Sequence, residues 1–247
     1  KKLMSLLPKN LNSVYFVNSG SEATEGALKL AKRYKGRTEI ISFGNAYHGS
    51  NHGALSVMGN EALKNKFRPL LPNVHFLEFN NENHFLQITE KTACVIIEPI
   101  QGEAGVRIPE KNYLKNLRKR SDETGTLLIF DEAQTAFGRT GTMFAFEQFD
   151  AVPDILLLAK AFGGGMPLGA FISSKKIMDS LKNNPALGHI TTFGGHPVCC
   201  AASLAAMDVL EKENLIQQVK RKEKLFKKLL RHRSIKEVRS IGLMIAI

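Results

Sequence analysis

The sequence predicts an α/β fold in which helices cover a mostly parallel sheet. Two short apolar runs, 127–130 and 155–159, each end at one ionisable residue, Asp131 and Lys160. Continuous runs of Ile and Leu bounded by polar or glycine residues are typical of strands buried on both faces. A helical pattern over 110–124 leads into the first of these runs, as expected for a βαβ unit.

The chain begins with an ordered alternation of predicted strands and helices. A strand at 14–17 leads through Ser19, Gly20 and Ser21 into a helix, and Ser19 precedes Glu22 at the spacing of a capping box. Further strands are predicted at 40–43, 74–79, 93–99 and 168–173, and two further helices at 197–212 and 214–232. The pattern contains no internal repeat and no low-complexity tract.

Composition excludes several classes of protein. The net charge is +11, but the basic residues are dispersed, and the densest stretch, 220–233, has the spacing of a solvated helix face, so we expect no nucleic-acid partner. The three cysteines, with Cys199 and Cys200 adjacent, form no zinc or disulfide pattern, which indicates reduced thiols and a cytoplasmic protein. No apolar window approaches about 18 residues, so we expect no membrane partner.

Metal and nucleotide sites are not predicted either. His48 and His52 stand four positions apart, which is a spacing of metal ligands, but the sequence supplies no third ligand beside them. Neither a dinucleotide-binding glycine motif nor a P-loop follows any predicted strand.

Asp131 and Lys160 predict a ligand site at one edge of the sheet. In open parallel sheets, ligands bind beyond the carboxyl ends of the strands, and both charges fall there. Pyridoxal 5'-phosphate would pair with both side chains, because its aldehyde forms a Schiff base with an amine and its ring nitrogen pairs with an acid. Its phosphate fits the turn of Ser19, Gly20 and Ser21, where free N–H groups and the helix dipole attract an anion.

The motifs of this chain occur in the order known from one family. They are NSGSEATE, AYHG, EPIQGEAGV, FDEAQTAFGRTG, LLLAKAFGGGMPLGA and TTFGGHP. From about Val14 onward the sequence resembles the class III (ornithine and acetylornithine type) aminotransferases, which are pyridoxal phosphate enzymes of fold type I. This resemblance implies transfer of an amino group through an aldimine on Lys160. The implied donor is an ω-amine like that of acetylornithine, ornithine or 4-aminobutyrate, and the implied acceptor is a 2-oxo acid, 2-oxoglutarate.

The resemblance also assigns roles around the cofactor. It implies that Tyr47 stacks on the pyridine ring, with His48 beside it, and that Glu98 lines the pocket. Gln134 matches the residue that hydrogen-bonds the phenolic oxygen. Ala133 stands where the family usually has a branched aliphatic residue on the opposite ring face, so we expect a looser sandwich.

Three further positions concern substrate and assembly. By resemblance, Glu103 alternately pairs with and releases an arginine of the C-terminal domain, and Thr192 completes the phosphate site of a neighbouring subunit, which implies a homodimer. Ser50 replaces an arginine that commonly holds the substrate carboxylate, and a hydroxyl cannot make that bidentate contact.

The resemblance also predicts the domain organisation. It divides the chain into a large cofactor domain, 1–233, and the beginning of a small C-terminal domain, 234–247.

Alternative functions stay open at this point. Because Ser50 replaces the usual arginine, an aminomutase or another ω-amine transaminase of the same fold is one alternative. A catalytically silent binding protein is the alternative from another class of function.

Overall fold

A computed structural model describes residues 1–247 and places a seven-stranded sheet at the centre of the molecule. The strands of this sheet are Ser13–Val17 (β1), Glu39–Phe43 (β2), Val74–Leu77 (β3), Thr92–Ile97 (β4), Leu127–Asp131 (β5), Ile155–Leu158 (β6) and Gly169–Ser173 (β7). Two short strands, Arg239–Ile241 (β8) and Met244–Ala246 (β9), form a separate antiparallel hairpin near the C-terminus.

The sheet is mostly parallel, as the sequence predicted. Its spatial order is β1-β7-β6-β5-β4-β2-β3. The pairs among β2, β3, β4, β5 and β6 are all parallel, and β7 pairs antiparallel with both β6 and β1. The central strands are buried along their whole length because a hydrophobic core lies on each face of the sheet. That burial explains their unbroken runs of Ile, Leu and Val.

The helices are Lys2–Ser5 (α1), Gly20–Lys35 (α2), His52–Ser56 (α3), Tyr113–Thr124 (α4), Lys175–Met178 (α5), Pro197–Lys212 (α6) and Leu215–Leu229 (α7). Helix α2 packs across the sheet with its Ala and Leu face buried, and it ends at Gly36, which adopts the left-handed conformation of a helix C-cap. Short 3₁₀ turns follow several strands, and one of them, Lys160–Gly163, directly follows β6.

Parallel strands place their carboxyl ends at one edge of the sheet. Because β1, β2, β4, β5 and β6 run the same way, the residues that follow them gather there. This edge receives the turn at Ser19, the segment around Tyr47, and the side chains of Glu98, Asp131 and Lys160. The topology alone therefore collects residues that are far apart in the chain.

Most predicted boundaries lie within a few residues of the observed ones. Strand β3 stops at Leu77 rather than at residue 79, and α4 begins at Tyr113 rather than at 110. The β8–β9 hairpin packs against the sheet-bearing part of the chain, with Met244 in a small cluster beside Val106. The division into domains at residue 233 stays a prediction. No helix has the length and apolar character needed to span a membrane.

Candidate active site

A cavity of about 310 Å³ lies at the carboxyl edge of the sheet. It is lined by Ser19, Gly20, Ser21, Tyr47, His48, Gly49, Ser50, Asn51, Glu98, Asp131, Ala133, Gln134, Ala159 and Lys160. The structure thus brings together ten of the residues singled out from the sequence, together with Ser50. Their roles remain predictions, whereas their common location is an observation.

The start of α2 forms one wall of the cavity. The Ser19 hydroxyl accepts the backbone N–H of Glu22 at 3.2 Å and caps the helix. A Cβ at Gly20 would contact the Cβ atoms of Ala159 at 3.4 Å and Ala133 at 3.6 Å, so glycine keeps this corner open. Unsatisfied N–H groups of a first helical turn attract an anion, and here they lie at an open corner of the cavity.

The capping arrangement differs from the box predicted by the sequence. Glu22 does not reach back to the N–H of the cap residue. Instead its Oε2 accepts the backbone N–H and the side-chain Nδ2 of Asn18, both at 2.8 Å. Asn18 Nδ2 also donates to Thr191 Oγ1 at 2.9 Å, so this cluster ties the helix start to the loop that precedes α6.

The loop after β2 closes over the helix start. Gly49 has φ +116, and a Cβ there would lie 2.0 Å from Ser21 Oγ. This close approach lets the backbone N–H of Ser50 donate to Ser21 Oγ at 2.8 Å. A glycine is required at this position by both its backbone conformation and the lack of space.

Asp131 is held by two protein groups at the end of β5. Its Oδ2 lies 2.9 Å from His48 Nδ1, and its Oδ1 accepts the backbone N–H of Ala133 at 3.0 Å. The His48 side chain is fully buried and that of Asp131 is 7% exposed. With Nδ1 directed to the carboxylate, His48 Nε2 is left buried without a hydrogen-bond partner.

Glu98 is the second buried carboxyl group of the cavity. Its Oε1 accepts the N–H of Tyr47 at 2.9 Å and its Oε2 accepts the N–H of Gly102 at 3.0 Å. Burial raises the pKa of Glu98 to about 7, against the opposing effects of His48 and of the two backbone N–H groups. Glu98 therefore joins the loop after β2 to the turn after β4, and it titrates near neutral pH.

Lys160 begins the 3₁₀ turn after β6 with φ +49, which is uncommon for a residue with a side chain. It lines the first cavity and also a second one. An apolar run precedes Lys160 and three glycines follow it, a pattern that predicts a desolvated amine. The structure contradicts that prediction: Lys160 is exposed, since the glycine-rich turn leaves its side chain at the open side of the cavities.

The second cavity has a volume of about 370 Å³ and adjoins the first, sharing Ala133, Gln134 and Lys160 with it. Glu103 lies here rather than in the first cavity, and its Oε1 accepts Gln134 Nε2 at 3.2 Å. Arg139 also lines this space.

Thr192 lies outside both cavities and is exposed on the surface of the chain. Its neighbour Thr191 contacts the start of α2 through Asn18 instead. The proposed contribution of Thr192 to a neighbouring subunit therefore stays a prediction.

Sequence reasoning missed Glu132, which adjoins Asp131 and is fully buried. Glu132 Oε2 accepts the N–H of Ala145 at 2.6 Å and the hydroxyl of Thr135 at 3.0 Å, and Oε1 accepts the N–H of Phe146 at 2.8 Å. These bonds fasten the 3₁₀ turn that follows β5. A carboxylate directly after a buried strand, beside a second one, was the available signal.

Lys160, Asp131 and the turn of Ser19, Gly20 and Ser21 fit the aldehyde, the ring nitrogen and the phosphate of pyridoxal phosphate. The open corner at Gly20 leaves room for a group at the helix start. His48, whose buried Nε2 has no hydrogen-bond partner, lines the cavity together with Asp131 and Lys160. The fold and the cavity thus define an α/β protein with an amine, an acid and an anion site around one ligand space, as in pyridoxal phosphate enzymes of fold type I.

Sequence comparison then gives the family. The family model described as aminotransferase class III matches residues 1–247, so the chain belongs to the class III aminotransferase family, whose cofactor is pyridoxal 5'-phosphate. Both the predicted family and the predicted cofactor are confirmed at this level.

Two curated relatives illustrate the similarity. The [LysW]-aminoadipate semialdehyde/glutamate semialdehyde transaminase of Sulfurisphaera tokodaii is 41% identical over 252 residues, and the match covers 100% of this chain and 64% of the relative. The acetylornithine aminotransferase of Methanopyrus kandleri is 43% identical over 248 residues, covering 99% of this chain and 63% of the relative. The chain thus spans less than two thirds of the length of these relatives.

Solved structures agree in fold. The ornithine aminotransferase of Toxoplasma gondii superposes with a TM-score of 0.89 at 31% identity, covering 98% of this chain and 59% of that one. The taurine:2-oxoglutarate aminotransferase of Bifidobacterium kashiwanohense, solved with pyridoxal phosphate and glutamate, gives 0.88 at 29% identity, covering 98% of this chain and 61% of that one. The predicted fold class is therefore confirmed.

Proposed function

We propose that this protein is a pyridoxal phosphate-dependent transaminase that moves an amino group from an ω-amine donor to a 2-oxo acid. The observation that carries the proposal is the convergence of Lys160, Asp131 and the Ser19–Ser21 turn on one cavity. An amine, an acid and a helix start are the partners that the aldehyde, the ring nitrogen and the phosphate of the cofactor need.

The proposed roles follow from what each group can do. When bound, pyridoxal phosphate supplies an electrophilic carbon for the amino group and an electron sink for the charge left when a proton departs. Lys160 Nζ is the amine that would hold the cofactor covalently, and as a free amine it would be the base that takes a proton from the donor carbon. Its exposure at the open side of the cavity leaves it within reach of a substrate.

Asp131 is the acid that would pair with the protonated ring nitrogen of the cofactor. His48 supports this role because its Nδ1–H keeps the carboxylate oriented, while the N–H of Ala133 holds the other oxygen. Both interactions hold the carboxylate in one orientation, and a carboxylate is the partner that a protonated ring nitrogen needs. His48 thus acts through Asp131.

The remaining cavity residues orient the ring and the phosphate. Tyr47, Ala133 and Gln134 line the cavity. Tyr47 and Ala133 would hold the ring of the cofactor between them, and the amide of Gln134 would donate to its phenolic oxygen. The N–H of Ser50 fixes the hydroxyl of Ser21, and this hydroxyl and the first N–H groups of α2 would hold the phosphate.

The substrate assignment draws on named relatives. Proteins that are named for acetylornithine and for glutamate or aminoadipate semialdehyde resemble this chain. The free amine of acetylornithine and the aldehyde carbon of the semialdehydes both lie at the ω end of the molecule, which supports an ω-amine donor. We propose 2-oxoglutarate as the acceptor, because a structural neighbour is named for it. Ser50 favours an alternative donor that lacks a carboxylate near the first cavity, as in other ω-amine transaminases or an aminomutase.

We further propose a homodimer in which Thr192 completes the phosphate site of the adjoining subunit. Its exposure, one residue beyond a threonine that anchors the start of α2, supports this proposal. The cysteines are free, which supports the proposed cytoplasmic location of the protein.

The test begins with the visible absorbance of the protein loaded with pyridoxal phosphate. We expect the loaded protein to show a visible absorbance band. The substitution Lys160→Ala abolishes this band, whereas Lys111→Ala, at an exposed control position, leaves it unchanged. Addition of acetylornithine, ornithine or 4-aminobutyrate bleaches the band, and 2-oxoglutarate then restores it. A band insensitive to Lys160→Ala contradicts the proposed attachment. A Lys160-dependent band that none of these donors bleaches contradicts the proposed donor class and favours the alternatives, a different ω-amine substrate or a silent binding protein.

A further inference from the structure

The β8–β9 hairpin forms one wall of the second cavity. Leu243, Met244 and Ile245 line this space together with Glu103 and Gln134. The hairpin is fixed to the neighbouring loop because the N–H of Leu243 donates to the carbonyl of Arg139 at 2.8 Å. Its position is therefore tied to the residues that bound the cavity.

Arg239, the first residue of β8, reaches from the hairpin to the turn that follows β4. Its Nε donates to the carbonyl oxygen of Gly105 at 2.8 Å, and its Nη1 pairs with Glu237. The guanidinium lies against the Cα of Gly105, where a Cβ would stand 2.9 Å from Nη2. With φ +87, Gly105 is required for both the backbone conformation and the close approach.

The turn that Arg239 contacts is compact. Gly102 O accepts the N–H of Gly105 at 3.0 Å and that of Val106 at 3.2 Å. Val106 is buried and belongs to a small apolar cluster with Met244 of the hairpin. The hairpin thus holds the Gly102–Val106 turn by one polar contact, at Gly105, and by one apolar contact, at Val106.

The same turn contacts the proposed cofactor and substrate residues. The N–H of Gly102 donates to Glu98, and a Cβ at Gly102 would stand 2.8 Å from Gln134 Oε1, so this side chain lies directly on the glycine. The next residue, Glu103, accepts a hydrogen bond from Gln134 Nε2. A shift of the turn would therefore move the amide of Gln134 and the carboxylate of Glu103 together.

We propose that Arg239 is a positioning residue for the active site. Through Gly105 it fixes the Gly102–Val106 turn, and through that turn it sets the place of Gln134 beside the cofactor and of Glu103 beside the substrate. This inference rests on the proposed function for its kinetic consequences, while the mechanical link between Arg239 and the turn stands independently of it. The role is one of geometry, since Arg239 lines neither cavity.

The test compares Arg239→Gln with a matched control, Arg107→Gln, in the intact protein. Arg107 lies one residue beyond the turn, is exposed, and forms no side-chain hydrogen bond or ion pair, so the control removes the same charge from the same region. Arg239→Lys serves as the conservative variant, because an ammonium still donates one hydrogen bond to Gly105 O.

Hydrogen–deuterium exchange of the cofactor-free protein tests directly whether Arg239 holds the Gly102–Val106 turn in place. We expect Arg239→Gln to speed exchange of the amides of Gly105 and Val106 about tenfold, which is the effect of losing one hydrogen bond worth about 1.4 kcal/mol. Amides of β5 keep their protection, and Arg239→Lys restores most of the protection at the turn. Unchanged exchange at the turn overturns the proposal, as does a loss of protection spread evenly over the sheet.

Kinetics and absorbance of the cofactor-loaded enzyme measure the effect of the substitution on the active site. In Arg239→Gln we expect the KM of the donor to rise about tenfold while kcat stays within about twofold. The pH midpoint of the visible band should shift, because Gln134 no longer holds the phenolic oxygen in place. If Arg107→Gln causes the same changes, or Arg239→Gln causes none, the proposal is wrong. If the unaltered protein shows no band and no transamination, the proposed function fails, and the exchange result still decides the mechanical link.

Discussion

Nδ1 of His48 lies 2.9 Å from Oδ2 of Asp131, and this contact joins the loop after β2 to the end of β5. The imidazole is fully buried, so the carboxylate meets one of its partners in a region closed to water. A hydrogen bond is stronger there than in bulk water, and a missing partner costs more. The pair therefore fixes the acid on which the proposed cofactor site depends.

The first prediction concerns this pair. His48→Ala leaves Asp131 Oδ2 without its partner, and we expect the affinity for pyridoxal phosphate to fall about tenfold because the carboxylate loses one oriented hydrogen bond. Transamination should fall by at least as much. Asp131→Asn should reduce the rate about 10²- to 10⁴-fold, since the proton on the ring nitrogen loses its counter-charge.

Equilibrium dialysis and single-turnover absorbance measure the two effects. His52→Ala is the control, because this imidazole is exposed and its one hydrogen bond is to the carbonyl of Pro69, at 3.2 Å. Equal losses in His48→Ala and His52→Ala would contradict the proposed link to Asp131.

The second prediction concerns the phosphate corner. In Gly49→Ala the new Cβ would collide with Ser21 Oγ, and the residue would have to keep φ +116. We expect the Kd for pyridoxal phosphate to rise about 100-fold while the protein stays folded, because the collision displaces the hydroxyl that lines the helix start. Isothermal titration of the cofactor measures the change.

Gly44→Ala is the matched control for this substitution. It lies in the same loop, and its nearest contact would be the carbonyl of Leu77 at 3.8 Å, which is ordinary packing distance. A similar loss of affinity in both variants would show that Gly49 acts through loop stability and not through the phosphate corner.

Much of this site could be predicted because it follows from topology. Buried runs ending at Asp131 and Lys160 identify parallel strands, and parallel strands bring their carboxyl ends together. The sequence could not indicate that His48 faces Asp131, because these residues belong to different loops. A pairing between loops depends on the angle at which each leaves the sheet.

The exposure of Lys160 could not be predicted for a related reason. The apolar run before it describes the strand, whereas the exposure of its side chain depends on the turn that follows, in which Lys160 takes a left-handed conformation. Likewise, the sequence shows Glu132 as one more acid beside Asp131. Its role became visible only when the structure placed Ala145 and Phe146 against its carboxylate.

The third prediction concerns the buried carboxylate of Glu132. Glu132→Ala removes the acceptor for the N–H groups of Ala145 and Phe146 and for the hydroxyl of Thr135. We expect the free energy of unfolding to fall by about 3 kcal/mol or more, because each buried donor left unpaired costs about 1 to 3 kcal/mol. Urea unfolding measures it. The exposed Glu110→Ala should stay within about 0.5 kcal/mol of the unaltered protein, and an equal change in both would contradict a supporting role.

The fourth prediction concerns substrate choice. Ser50 lines the first cavity and is exposed, so an arginine in its place has room to extend into solvent or toward a substrate. In Ser50→Arg we expect kcat/KM for a carboxylate-bearing donor to rise about tenfold relative to a simple amine, because a guanidinium pairs with a carboxylate through two hydrogen bonds.

Ser50→Lys tests whether that gain needs the forked geometry or only the charge. A smaller gain with lysine supports the bidentate contact. An unchanged preference in Ser50→Arg would show that donor carboxylates bind away from this position.

The fifth prediction concerns pH. Burial raises the pKa of Glu98 from its ordinary value of 4.5 to about 7, so between these values the folded protein binds more protons than the unfolded chain. The stability contributed by this group is thus fully present below about pH 4.5 and is lost as the pH rises through about 7. A shift of this size corresponds to about 3 kcal/mol.

Urea unfolding of the cofactor-free protein between pH 5 and pH 8 measures this dependence. Glu98→Gln cannot titrate, so its stability relative to the unaltered protein should improve by up to about 3 kcal/mol over this range. Glu90→Gln, at an exposed carboxyl group without a hydrogen bond or an ion pair, should keep a constant difference. If Glu98→Gln also keeps a constant difference, Glu98 stays ionised throughout, and the N–H groups of Tyr47 and Gly102 then outweigh the cost of its burial.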